Sequence, residues 1–205
     1  LGLAAEQMGA HDVAARYFVS AIRAHPGDPD TLRHALEAIL VSGDYDLIQD
    51  AASLSQLAPS EVEGVMDKIL AERPELVQDA ALKRLISAWS AYAGARYEEV
   101  VAMCSGTVRA GGDPRFYVPM ALAFVRLGLP ELAIRELDRA AHLAGITDAA
   151  KVVLQYHAAV IQLGQGNAQQ AADLLHEVEG LSPGFRDVED LLSRCGTQGA
   201  KIVKL

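Results

Sequence analysis

Apolar residues recur along this chain at steps of three and four, with polar residues between them, so that each run covers one side of a helix. Such stripes run through Leu32, Leu36, Ile39 and Leu40, then Leu47, Ile48, Ala51, Ala52 and Leu54, then Val62, Val65, Met66, Ile69 and Leu70. A longer one follows through Leu76, Leu82, Leu85, Ile86, Trp89 and Tyr92, and a last one through Phe185, Val188, Leu191 and Leu192. Strand-like alternation is confined to Lys201-Ile202-Val203-Lys204-Leu205. Start and stop signals divide the stripes. Asp28-Pro29-Asp30-Thr31, Asp113-Pro114, Leu129-Pro130-Glu131 and Thr147-Asp148 read as helix starts, and Ser60-Glu61-Val62-Glu63 as a capping box. Arg73-Pro74 ends a helix, because the residue before proline avoids the helical region. The pattern predicts about twelve helices joined by short turns.

Four segments share a glycine-anchored register. They run Gly9, Ala14, Phe18, Ala21, Pro26; Gly43, Ile48, Ala52, Ser55; Gly128, Ala133, Leu137, Ala140; and Gly166, Ala171, Leu175, Val178, Pro183. Gly9 to Gly43 is 34 residues, and Gly94 to Gly128 is 34 again. A period of this length made of paired amphipathic helices marks a solenoid. The offsets have physical roles. The glycine turns the chain between two helices, the small residue five later sits at their crossing, and the bulky residue nine later fills the core. The residue at twelve touches the next pair, and proline at seventeen ends the second helix.

This register resembles the tetratricopeptide repeat. The likeness covers Leu1–Pro26, where Leu1-Gly2 supplies the first-helix pair, and also Met120–Ala140 and Gly164–Pro183. It is partial over Leu32–Pro59, and departs at Ala93–Gly112, where Gly94-Ala95-Arg96-Tyr97 carries an extra residue. Ser60–Arg73 reads as an unpaired helix. The resemblance implies an all-α, right-handed α-solenoid with a divergent stretch around 44–93, a repeat domain over 1–195 and a flexible tail over 196–205. It implies further that first helices line a concave groove along which a peptide lies. By register the groove positions are Arg33, Glu37, Trp89, Tyr92, Arg115, Leu122, Arg126, Tyr156 and Val160. Tryptophan, tyrosine and arginine are the residues that anchor interfaces, and the arginines point to an acidic partner. The family's carboxylate clamp uses lysine and asparagine, where this chain has Arg33 and Glu37. Pro119, in the helix carrying Arg115 and Arg126, is expected to bend it.

Composition narrows the function. The net charge of −9 argues against a nucleic-acid partner, since phosphate neutralisation needs a basic surface. No apolar run is long enough to span a membrane. The six histidines show no metal-ligand spacing, and Cys104 and Cys195 are too far apart for a CxxC unit. The pairs Glu61/Glu63 and Glu98/Glu99 do not converge on a helix, and the glycine pairs Gly111-Gly112 and Gly164/Gly166 lack a phosphate-loop context. No enzyme activity, cofactor or metal is therefore expected. The leading reading is a non-catalytic scaffold holding a protein or peptide partner. The alternatives are a homo-oligomer stacking through its N-terminal end, or the repeat region of a larger enzyme. The chain opens on Leu1-Gly2 within a helical pattern, as a fragment or processed product would. A cytoplasmic location is favoured over a periplasmic or envelope-associated one. Arginine outnumbers lysine 13 to 5, in keeping with a bacterial gene of high GC content.

Overall fold

The computed structural model describes residues 1–77, 80–109 and 113–202. Among the described residues the regular structure is wholly helical: twelve α-helices and two short 3-10 segments. The chain falls into two compact units, Leu1–Met103 and Cys104–Leu205.

The first unit contains α1 (Gly2–Gln7), α2 (His11–Ala24), α3 (Pro29–Ser42), α4 (Leu47–Ser55), α5 (Pro59–Glu72), a 3-10 turn at Pro74–Leu76, α6 (Ala80–Ala93) and the start of α7 (Tyr97–Arg109). Local chemistry sets the boundaries. Asp28 accepts hydrogen bonds from the backbone N–H groups of Asp30 and Thr31, both at 3.2 Å, ahead of Pro29 at the first helical position. The capping box expected at Ser60–Glu63 does not form; only its backbone-capping half is made, two residues earlier, because the N-cap there is Ala58, which has no side-chain acceptor. Pro59 opens α5, and the Glu61 carboxylate reaches back to accept from the Ala58 N–H at 2.8 Å. Glu63 is thereby released for a tertiary contact. α5 ends at Glu72, with Pro74 two residues on.

Packing follows the hairpin register. α2 lies against α1, α3 and α4, while α5 packs between α3 and α6, and α4 also reaches α6. The helix read as unpaired is thus fastened on two sides. Arg33 on α3 pairs with Glu72 on α5, and Arg96 in the α6–α7 turn pairs with Glu63 on α5.

The second unit contains the end of α7, a 3-10 turn at Pro114–Phe116, α8 (Tyr117–Arg126), α9 (Pro130–Ala141), α10 (Asp148–Gly164), α11 (Ala168–Leu181) and α12 (Val188–Ile202). Pro119 falls in the first turn of α8, where its missing N–H has no intrahelical acceptor to lose, so no bend is needed. α10 is central: it packs against α9 on one side and α11 on the other, with lesser contacts to α8 and α12. Its core includes Val152, Ala159, Leu163, Ala171, Leu175, Val178, Val188 and Leu191. α12 continues to Ile202, into the segment expected as a flexible tail, and Val203–Leu205 lie outside the described residues.

The four anchoring glycines Gly9, Gly43, Gly128 and Gly166 all have positive φ, from 73° to 85°. Residues five and nine positions later are buried at Ala14 and Phe18, Ala133 and Leu137, and Ala171 and Leu175. In the α6–α7 hairpin the left-handed position falls on Ala95 (φ 58°) rather than Gly94. Counted from Ala95, the residues at five and nine are Val100 and Cys104, both fully buried. The extra residue seen in the sequence is therefore a one-place shift of the anchor, and the register of α7 is intact.

Candidate functional site

The residues assigned to the groove have different fates. Trp89 and Tyr92 are 1% and 5% exposed, and their rings meet edge to face with centroids 5.8 Å apart. They belong to the core of the first unit and offer no area to a partner. α6 packs against both α4 and α5, and the Tyr92 ring also meets Tyr97 of α7 edge to face at 5.4 Å. Leu122 is buried in the second unit as well. Arg33 donates through Nε to Glu37 at 3.0 Å and through Nη2 to Glu72. That hydrogen bond holds the Glu72 carboxyl below the usual carboxylate range. Arg33 thus ties α3 to α5 through Glu72, with Glu37 bracing it from its own helix. Arg115 chelates Asp113, with Nε at 2.9 and 2.7 Å from the two carboxylate oxygens. Burial, the largest influence on Asp113, raises its affinity for a proton, but the side-chain and backbone hydrogen bonds from Arg115 together outweigh it and leave the pKa lowered.

Arg33, Glu37 and Arg115 keep accessible surface although they are tied internally, and three further positions keep some as well. Arg126 and Val160 are exposed and Tyr156 is half-buried. The Tyr156 hydroxyl donates to Asp187 at 2.7 Å, its ring packs edge to face on Phe185, and the Arg186 guanidinium lies 5.1 Å from its centroid. Among the described residues no helix is long and apolar enough to cross a membrane, and no group of three His, Cys, Asp or Glu side chains is placed to hold a metal ion.

A different feature stands out in the second unit. α9, α10 and α11 enclose a cleft of about 550 Å³. Leu154, Gln155, Ala158 and Gln162 of α10 contribute its floor, between walls from α9 and α11. Successive helical residues are about 100° apart, so Val160, two positions from both Ala158 and Gln162, faces away from the cleft. The cleft is therefore on another side of α10 from the expected groove. Its ionisable lining is mostly acidic: Glu131 and Asp138 from α9, Asp173 and Glu177 from α11, against the single cation Arg135 and the imidazole of His142.

Internal hydrogen bonds account for part of this polarity. Asn167 donates to Gln162 at 2.8 Å, and Gln169 to Asp173 at 2.9 Å. Gln155 donates through Nε2 to Glu177, and Lys151 lies 3.9 Å from that carboxylate. The Oε1 atom of Gln155 is buried and has no donor among the described residues. None of these cleft residues belongs to the first-helix set that the sequence singled out. One signal was available: Gln155 occupies a buried position on the stripe Val152, Gln155, Ala159, where an apolar residue is the norm.

In overall structure the chain is similar to a thermophilic tetratricopeptide-repeat protein of Thermus thermophilus, with a TM-score of 0.51 and 17% identity over 97% of this chain and 95% of that one. It is also similar to a tetratricopeptide-repeat protein of Parabacteroides merdae, with a TM-score of 0.50 and 16% identity over 95% of this chain and 81% of that one. No protein-family model and no curated protein matches the sequence. The fold is that of a tetratricopeptide-repeat-like, all-helical protein.

Proposed function

We propose that the chain is a non-catalytic interaction module whose helical hairpins hold a partner protein or peptide. Repeat folds of this kind present elongated surfaces and grooves, and use them for binding rather than for chemistry. The observation that supports the reading best is the cleft over α10. It is large enough for several side chains, and it lies outside a core whose repeat positions are already filled. The remaining accessible first-helix positions, Arg126, Tyr156 and Val160, are a second candidate surface of the same unit. The test is capture from host lysate with the wild type beside two variant proteins, Arg126→Glu/Val160→Glu and Glu131→Gln/Asp138→Asn. A partner held by wild type and lost by one still-helical variant supports the reading and selects the surface. No partner enriched by wild type over an unrelated helical protein counts against it.

Self-association is a second reading, favoured by the large apolar side chains exposed within and beside α1 and in α2. Leu1, Leu3, Met8, Val13 and Tyr17 range from 41% to 89% exposed. Sedimentation across a hundredfold dilution series tests it. A mass that stays monomeric at every concentration removes this reading.

A further inference from the structure

α5 falls between the α3–α4 and α6–α7 hairpins and belongs to neither. It is held lightly for a helix of its length, burying three of its fourteen residues where α3 buries six. Val62, Met66 and Ile69 lie within about 60° of arc on one face, since successive helical residues are about 100° apart. Glu63 and Glu72 stand about 90° to either side of that stripe. Each meets an arginine of a different element: Arg96 in the α6–α7 turn takes Glu63, and Arg33 of α3 takes Glu72. The four side chains are 24% to 44% exposed, so both pairs can open into water without leaving a charge buried. Gly64 weakens the helix from within, and no neighbour fills the space that a side chain there would take. A narrow apolar seam, solvated ties and a weak helix together let a segment open locally while the rest stays folded.

We propose that α5 is a displaceable internal ligand, and that its seat between α3 and α6 takes an amphipathic helix of a partner protein. That helix carries the pattern of α5: apolar residues spaced as Val62, Met66 and Ile69, with a carboxylate on either side of them. The inference rests on the interaction reading above and adds a site within the first unit. The seat is prepared for such a helix. Glu37 accepts from Arg33 at 3.0 Å and Glu99 accepts from Arg96 at 2.8 Å, so both guanidiniums stay oriented when α5 leaves. Carboxylates at the two flanking positions then replace Glu72 and Glu63, and a basic helix is turned away by the same two arginines. Because α5 is tethered, it competes at an effective concentration on the order of millimolar, and the partner helix gains its place as α5 gives way.

Native-state hydrogen exchange on the full chain gives the first readout. The α5 amides are expected to exchange together and ahead of those of α3, and raising salt from about 50 mM to about 1 M should speed them. The second readout is the anisotropy of a fluorescein-labelled acetyl peptide with the Pro59–Glu72 sequence, titrated against the full chain. Relative to wild type, Glu63→Lys/Glu72→Lys is expected to bind it about tenfold more tightly, because its own α5 is repelled from the seat. Gly64→Ala, which strengthens α5, should bind it severalfold more weakly and slow the α5 exchange. A peptide carrying the same two lysines should bind at least about tenfold less well than the natural one. α5 amides as slow as those of α3 and indifferent to salt overturn the proposal. So does a folded series of variants that binds the peptide with one affinity. Should Glu63→Lys/Glu72→Lys not fold, the exchange rates and Gly64→Ala decide the matter. A wild-type dimer that excess peptide disperses would assign the seat to the α5 of a second copy and overturn the assignment to a partner protein. If these readouts fail while a lysate partner is still lost in Arg126→Glu/Val160→Glu, only this inference falls. If no partner is captured either, the interaction reading falls with it.

Discussion

Phe18 lies across Gly2 so closely that a β-carbon on Gly2 would sit 2.9 Å from the ring. The ring cannot simply retreat, because His34 of α3 stacks near it with centroids 5.5 Å apart. The glycine of the first helix and the bulky residue nine places after the turn are therefore one device: the missing side chain makes the seat for the ring. Gly2→Ala should force either the ring or α1 outward, at a cost of about 1–3 kcal/mol. Urea unfolding followed by circular dichroism measures it. A second variant, Gly2→Ala/Phe18→Leu, should recover part of the loss by removing the clash. Equal stability of Gly2→Ala and wild type would show that α1 is not held by this contact.

Ala95 occupies the place that glycine holds in the other hairpins. A left-handed conformation costs an L-residue with a β-carbon about 1–2 kcal/mol, partly offset by the larger entropy that glycine loses on folding. Ala95→Gly should therefore stabilise the protein by about 0.5–1 kcal/mol. Gly128→Ala should destabilise it by about 1 kcal/mol. Nothing lies within 4 Å of a β-carbon placed at Gly128, so the cost there is conformational and not steric. Thermal midpoints of the two variants should move in opposite directions. A shift of the same sign would break the equivalence of the two turns.

The repeat was legible because its signals are local. A turn that needs positive φ calls for glycine, and the offsets of five and nine bring Ala133 and Leu137 to the core whatever lies further along the chain. The groove assignments were less so, because exposure depends on partners distant in sequence. Trp89 and Tyr92 had the right residue type and the right helix, but both are buried in a unit where α6 packs on α4 and α5, and the spacing of residues in α6 carries no trace of that. Arg33 finds Glu72 across 39 residues, and Gln155 finds Glu177 across 22. Of the two Arg33 contacts, the one to Glu37 has helical i,i+4 spacing and the one to Glu72 does not. The shift from Gly94 to Ala95 was also hidden, since a glycine stood beside the position that needed one and drew the register to itself.

Cys104 shows how the repeat core tunes a titratable group. It fills the offset-nine position of α7, and burial pushes its thiol up to about 12, against about 8.5 for a free cysteine. The folded state thus retains the thiol proton where the unfolded chain gives it up. The contribution is fully present below pH of about 8.5 and is lost as pH rises from there toward 12. Unfolding free energy should fall more steeply with alkaline pH in wild type than in Cys104→Ala, whose cavity lowers stability at every pH but removes this slope. Native protein at pH 9 should react slowly with Ellman's reagent at both cysteines, since Cys195 is also buried, and rapidly in denaturant. Rapid reaction of Cys104 in the native state would refute the burial argument.

Glu63 is the residue that the shifted cap set free, and it carries the link from α5 to the α6–α7 turn. Arg96 donates through Nη1 to Glu63 and through Nε to Glu99 at 2.8 Å, and the Glu63 hydrogen bond is the largest of the influences that raise the arginine's pKa. Gly94 makes the approach feasible: a β-carbon there would lie 2.7 Å from Glu63 Oε2. Because the Arg96 side chain is 42% exposed, water screens the pair, and its coupling should be no more than about 1 kcal/mol. The double-mutant cycle of Glu63→Gln and Arg96→Gln isolates that term. Raising salt from 50 mM to 1 M should shrink it, since the pair is partly solvated. Gly94→Ala should lower the coupling with little other cost, because the atoms in its way are the ends of flexible side chains that can swing aside. A cycle giving zero coupling at low salt would leave the attachment of α5 at this end to its apolar contacts alone. Val62, Met66 and Ile69 would then carry it, and truncating Met66 to alanine, at about 2–5 kcal/mol, would far outweigh any change to the ion pair.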